Sequence, residues 1–220
     1  MSRTIRAVIF DLDGVLLDSE QVWDAARRQL TEHSGGRWSE SATQDMMGMS
    51  STEWSRYMNE ELGVKMPPEE ISAAVVKRME ELYREHLPLI PGARETVERV
   101  AARWPLGLAS SANRPVIEIV LELSGLGDFF ETTVSSEKVA RGKPAPDVYL
   151  EAARQLRADP TLCAAVEDSS SGILSAHAAG MRVVAIPNRT FPPSEEALKA
   201  ADAAIPSLQE LQREVIDSGV

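Results

Sequence analysis

Short apolar runs, each stopped by polar residues and followed by an amphipathic stretch, recur along this 220-residue chain. The first is Ile5 to Phe10, rich in branched residues and closed by Asp11-Leu12-Asp13-Gly14. Others stand at 106–109, 162–166 and 183–186, with a weaker one near 129–134. Runs this short and this apolar read as strands buried on both faces. Helical patterns lie between them: 95–102, with Val97 and Val100 on one face, then 116–123, 145–156 and 171–179. Strand followed by helix, repeated, predicts an α/β fold whose parallel sheet is covered on both faces.

One region breaks the alternation. From Val15 to His86 helical periodicity dominates and no strand is predicted. Ile71, Val75, Met79 and Leu82 recur at helical spacing behind Pro67-Pro68-Glu69-Glu70, a suitable helix start. The expected organisation is a core domain of residues 1–14 and 87–220, interrupted by a helical domain at 15–86. The segment from Leu87 to Gly92 is the expected return linker.

Composition narrows the functions open to such a fold. Hydrophobic residues make up 43% of the chain, enough for a buried core. The net charge of −11 argues against nucleic acid and anionic membrane surfaces as partners. No apolar run approaches the roughly 20 residues of a membrane span, and the apolar stretch near the start ends too soon, at Asp11, for a secretory signal. The single Cys163, within an apolar run, excludes an internal disulfide and suits a packing role in a reducing compartment. A soluble cytoplasmic protein is expected. His33, His86 and His177 lack the spacing of zinc ligands.

Four constellations carry chemistry, and each lies at or near the end of a predicted strand. Asp11 and Asp13, at i and i+2 of an extended segment, project to one side. Gly14 lets the chain turn away without a side chain over the site. Such a pair suits a nucleophile and a general acid/base, although Asp-x-Asp-Gly alone fits a turn equally well. Glu167-Asp168 follows the run at 162–166. Four carboxylates gathered at strand ends repel unless a cation neutralises them, and hard oxygen donors favour Mg²⁺. Ser110 and Ser111 close the run at 106–109 and offer hydroxyls and N–H groups to a phosphate, while Asn113 fits a helix cap. Lys143, set between Gly142 and Pro144, is a compact cation that offsets a phosphate and favours an ionised nucleophilic carboxylate.

Read in order, these motifs resemble the haloacid dehalogenase-like hydrolase superfamily, in its phosphatase and β-phosphoglucomutase-like branch with a helical cap. The resemblance rests on residues 11–20, 108–111, 142–147 and 167–169 and extends over nearly the whole chain. It implies a doubly wound, Rossmann-like core with the cap inserted after the first strand. It further implies that Asp11 attacks phosphorus to form an aspartyl-phosphate, and that Asp13 protonates the leaving oxygen and then activates water. Mg²⁺ would be held by Asp11, the backbone carbonyl of Asp13 and Asp168, with Glu167 binding directly or through water. Ser110, Ser111 and Lys143 would grip the phosphate.

Departures from individual branches narrow the activity. Dehalogenases lack the second Asp, which is present here as Asp13. Phosphonoacetaldehyde hydrolases carry a cap lysine soon after a Met-Gly pair, whereas Met47-Gly48 is followed by no lysine until Lys65. The β-phosphoglucomutases carry a His where Trp23 stands and a cap Arg where Ser51 stands. The run from Asp18 to Trp23 is similar to hexose- and hexitol-phosphate phosphatases. The expectation is a Mg²⁺-dependent monomeric phosphatase for a small phosphorylated metabolite, a sugar or polyol phosphate. The alternatives are a sugar phosphomutase, a phosphatase of broad specificity and a non-catalytic metabolite-binding module. Trp23, able to stack on a sugar, with Met47, Met49 and Asn113, are the candidate specificity residues.

Overall fold

The computed structural model describes residues 4–47 and 49–217. Six parallel strands form one sheet: β1 (Ala7–Phe10), β2 (Leu106–Ser110), β3 (Phe130–Ser135), β4 (Cys163–Glu167), β5 (Arg182–Ala185) and β6 (Ala203–Ala204). Their spatial order is β3-β2-β1-β4-β5-β6. The chain therefore winds outward from β1 to β3, crosses back to β4 beside β1, and winds outward the other way. The α/β class, the parallel sheet and its double winding agree with expectation. β6 lacked a sequence signal because two alanines cannot display a period.

Alternation along the strands divides the core into two layers. Val8 and Phe10 of β1, with Ala164 and Val166 of β4, enter one apolar cluster. Ala7 and Ile9, with Cys163 and Ala165, enter the other. Helices α5 (Ala93–Ala101), α6 (Arg114–Ser124) and α10 (Arg213–Asp217) contribute Val97, Val100, Val120 and Ile216 to the first. Helices α7 (Asp147–Gln155), α8 (Ser170–Ala178) and α9 (Glu195–Ala200) contribute Val148, Ala152, Ile173 and Ala197 to the second. Cys163 is buried and free, in the packing role expected of it.

Between β1 and α5 lies a helical insert: α1 (Glu20–His33), the single turn α2 (Ala42–Asp45), α3 (Ser51–Glu60) and α4 (Pro68–Glu85). Ile71, Val75 and Met79, predicted to share a face of α4, are fully buried. Leu82 of the same series is only partly buried, and Tyr83 beside it is buried instead. The two chain crossings into and out of the insert run side by side. Asp18 N–H donates to Pro88 O at 2.9 Å and Ile90 N–H donates to Leu16 O at 2.9 Å. Apolar residues of the insert join the same cluster as the adjoining sheet face, so no break in packing separates the two. Among the described residues, no helix is long and apolar enough to cross a membrane.

Candidate active site

The strand order places the ends of β1 and β4 next to each other, where the winding reverses. Asp11 N–H donates to Val166 O at 3.0 Å, extending the β1–β4 ladder one residue beyond Phe10. Ligands of open α/β sheets bind in the crevice beyond the strand ends at such a reversal. Asp11 leaves β1 there, and Glu167-Asp168 leaves β4. A cavity of about 850 Å³, counted to its open mouth, covers this crevice and extends under the insert. Asp11, Asp13, Lys143 and Asp168 line its floor.

Lys143 links the two strand ends. Its Nζ donates to Asp11 Oδ1 at 2.6 Å, Glu167 Oε1 at 2.6 Å and Ala109 O at 3.1 Å, using all three protons of the ammonium. Lys143, Asp11, Glu167 and Asp168 are all buried. Burial alone disfavours the lysine's charge, but Asp11 and Glu167 outweigh it and raise its pKa. Burial also pushes Asp11 up to about 8, with Lys143 pulling the other way and Glu167 and Asp13 adding to the rise. Lys143 thus favours the ionised form of Asp11, as expected, but burial outweighs it. Asp168 is likewise raised well above the ordinary carboxylate range, by burial first and by Glu167 and Asp11 next.

A cation would resolve this imbalance. Carboxylate oxygens of Asp11, Glu167 and Asp168 lie within 4.8 Å of one another. Three buried carboxylates face one buried ammonium, so a hard divalent ion matches both the donor type and the missing charge. Asp11 and Asp168 face the cavity. Glu167 does not line it, and both its oxygens are engaged: Oε1 accepts from Lys143 and from Tyr149 Oη at 2.8 Å, and Oε2 from Asp168 N, Ser169 N and Ser169 Oγ. Its immediate work is to fix Lys143. Ser169 also caps α8, accepting from Gly172 N–H at 3.1 Å.

Two glycines make room for these acids. Gly14 has φ +77°, and a Cβ there would lie 1.9 Å from Asp168 Oδ2. A Cβ on Gly172 would lie 1.8 Å from Glu167 Oε1. The chain reverses over Asp168 only because position 14 has no side chain. Asp13 turns toward the insert, where its Oδ1 accepts from Ser19 Oγ and from Trp23 Nε1 at 3.0 Å.

The other predicted site residues divide among three places. Ser111 lines the cavity, as do Trp23, Met47 and Met49. Gly48, between the two methionines, lies outside the described residues. Ser110 is fully buried at the tip of β2, its Oγ accepting from Ala112 N–H at 3.0 Å just beneath the lining. Asn113 is not in the cavity. It precedes α6 without a side-chain cap bond and instead donates to Ser72 Oγ of α4 at 3.2 Å and Glu137 Oε1 at 2.9 Å, in the seam between insert and core. Trp23 offers no open stacking face of the kind expected, for its ring packs on Arg27 at 4.8 Å and Trp54 at 6.2 Å.

Sequence reasoning missed three contributors. Tyr149 sits on the apolar face of α7 and reads there as core, yet its hydroxyl supports Glu167 and its ring lies 5.1 Å from Lys143 Nζ. Arg27 and Trp54 line the cavity from α1 and α3. The only available signal for Arg27 was its place four residues after Trp23, on the same helical face.

Comparison with known proteins agrees with this geometry. The sequence model of the haloacid dehalogenase-like hydrolase family matches residues 8–186. The chain belongs to that family. It is 35% identical to hexitol phosphatase B of Escherichia coli (strain K12) over 217 residues, 95% of each chain. The structure of CbbY from Rhodobacter sphaeroides in complex with phosphate superposes with TM-score 0.87 at 25% identity, covering 98% of this chain and 100% of the other. β-Phosphoglucomutase from Clostridium difficile gives TM-score 0.83 at 27% identity over 96% and 95%. The chain is accordingly an enzyme of the phosphoric monoester hydrolase class.

Proposed function

We propose that this enzyme is a Mg²⁺-dependent phosphatase for a small sugar or polyol phosphate, and that it works through an aspartyl-phosphate on Asp11. The observation that carries the reading is the contact at the winding reversal, where a buried Asp11 oxygen lies 2.6 Å from the buried Lys143 ammonium. Phosphoryl transfer demands mainly positioning and charge neutralisation, which this crevice is built to provide. An Asp11 oxygen attacks phosphorus as the bond to the ester oxygen breaks, and Asp13 gives that oxygen its proton. Asp13 then takes a proton from the water that displaces Asp11, releasing phosphate. Hydrogen bonds from Ser19 and Trp23 occupy Oδ1 of Asp13 and leave Oδ2 for this proton.

Lys143, Ser110 and Ser111 hold the phosphoryl oxygens. Asp11, Asp168 and the Asp13 carbonyl are the residues that would hold Mg²⁺, with Glu167 behind them. The ion supplies the positive charge that the buried carboxylates and the phosphoryl oxygens require. The insert acts as a cap that excludes bulk water.

The test is phosphate release from a panel of phosphorylated metabolites, with and without Mg²⁺. Asp11→Asn should reduce release by at least about a thousandfold while the protein stays folded. Near-normal hydrolysis by that variant would remove Asp11 from its role. The likeness to β-phosphoglucomutase keeps a mutase as the second reading. It predicts isomerisation of β-glucose 1-phosphate, with a bisphosphate activator, without stoichiometric phosphate release.

A further inference from the structure

Among the described residues Arg27 and Lys143 are the cations of the cavity lining, and the two are held quite differently. Its guanidinium carbon lies 4.8 Å from the Trp23 ring centroid and 4.9 Å from that of Trp54. Its Nε is enclosed with no hydrogen-bond partner, and among the described residues the guanidinium makes no hydrogen bond or close ion pair, although the charges of Asp13 and Asp24 act on it. An enclosed donor without an acceptor costs free energy, roughly 1–3 kcal/mol, so its retention beside a ligand cavity points to a ligand group that completes it. Two aromatic rings fix the position of the fork without using its N–H groups.

The immediate surroundings specify that group. Asp24, one turn before Arg27 on α1, also lines the cavity. Thr43 Oγ1 donates to Asp24 Oδ1, and Oδ2 receives no hydrogen bond among the described residues. A donor-only fork beside a free carboxylate oxygen matches a hydroxyl, which accepts from the first and donates to the second. A second anion fits poorly. Five carboxylates (Asp11, Asp13, Glu20, Asp24 and Asp168) line the cavity against Arg27 and Lys143. With all five ionised and a divalent cation bound, the lining is still negative before any substrate phosphate enters. Position matters as well: the Trp23 indole bonds Asp13 through Nε1 and carries Arg27 on its ring, so the fork sits about one indole away from the acid/base.

We propose that Arg27 and Asp24 form a hydroxyl-binding subsite that selects phosphate esters with an uncharged polyol chain, at the end of the substrate remote from phosphorus. The subsite deepens the phosphatase reading and rests on it. Arg27 determines specificity, and it touches neither phosphorus nor the leaving oxygen.

The experiment compares glucitol 6-phosphate, n-hexyl phosphate and glucitol 1,6-bisphosphate as substrates in Mg²⁺. They share a six-carbon chain and differ in what they bring to the subsite. The unmodified enzyme should prefer glucitol 6-phosphate to both others. In Arg27→Met, which keeps an apolar filler between the tryptophans, the glucitol-to-hexyl ratio of kcat/KM should fall by at least about tenfold, mainly through KM. Arg27→Lys should restore only part of it, because an ammonium lacks the fork. If Arg27→Met fails to fold, Asp24→Asn decides, and it should lower the same ratio. Equal losses on both esters would make Arg27 a structural residue and overturn the subsite. A preference for the bisphosphate that Arg27→Met abolishes would overturn the polyol assignment in favour of a distal anion. Absence of phosphate release from every ester by the unmodified enzyme would instead overturn the phosphatase reading beneath it.

Discussion

The strand-end floor of the cavity and its helical roof solve opposite problems. On the floor most charged groups are tied to one another before any ligand arrives: Lys143 spends three protons on Asp11, Glu167 and Ala109, and Glu167 receives five donors, while the Asp168 carboxylate is left for a cation. On the roof, the Arg27 fork rests on two tryptophans with no acceptor among the described residues. Side chains already held by one another suit a reaction common to all phosphate esters, because they need not reorganise as charge develops. A roof with unspent donors suits the part of the substrate that differs between esters. Changes on the floor should therefore affect every ester alike, and changes on the roof should reorder them.

The largest expected break of that contrast is Lys143→Met. It leaves Asp11 and Glu167 buried without their cation, which should cost about 3–5 kcal/mol of stability in urea unfolding. It should also lower kcat by about a thousandfold on all esters, whatever their chain. Gly14→Ala comes next. The new Cβ would meet Asp168 Oδ2 at 1.9 Å in a backbone of φ +77°, so Asp168 must move. Mg²⁺ affinity, read by calorimetry, should weaken by at least about tenfold, with kcat falling on all esters.

The folded state raises Asp11 to about 8, so without a cation it holds a proton that the unfolded chain releases near its ordinary value of 3.8. The stability that this proton preserves in acid is lost as pH rises from about 4 towards 8. A bound cation favours the ionised carboxylates, so saturating Mg²⁺ should raise Tm more at pH 8 than at pH 5.5. An equal shift at both pH values would mean that the ion does not bind at these carboxylates. The smallest effect is Tyr149→Phe, which removes one donor to Glu167 and should cost about 1–2 kcal/mol. A kcat loss of a few fold, the same for every ester, would fit its place behind the floor.

The two regions also differed in how far the sequence could be read. Asp11, Asp13, Lys143, Glu167 and Asp168 were legible because a strand's end is marked by where its apolar run stops, and side chains there need no further geometry to converge. The double winding followed from the same punctuation, whereas the two-residue β6 was too short to leave any. Tyr149 escaped because a residue on the apolar face of an amphipathic helix looks like packing whether or not its hydroxyl works. The roof was less legible because its residues meet across helices. Trp23 lines the cavity, but Arg27 lies over its ring and Trp54 packs against it at a tilt. Asn113 fits a helix cap or a specificity residue by sequence, whereas Ser72 and Glu137 hold it in the seam. An arginine on a surface-type helix reads as solvated until its aromatic neighbours, one of them from another helix, are known.

On the proposed mechanism Asp11, on the floor of the cavity, takes the phosphoryl group. The most direct test is to quench the enzyme in acid during turnover, reduce with borohydride and map the peptides by mass spectrometry. An acyl phosphate at Asp11 would be reduced to the alcohol at that position, and the account predicts this mark at residue 11 with every ester turned over. Steady hydrolysis with the mark on another carboxylate, or with none at all, would contradict it.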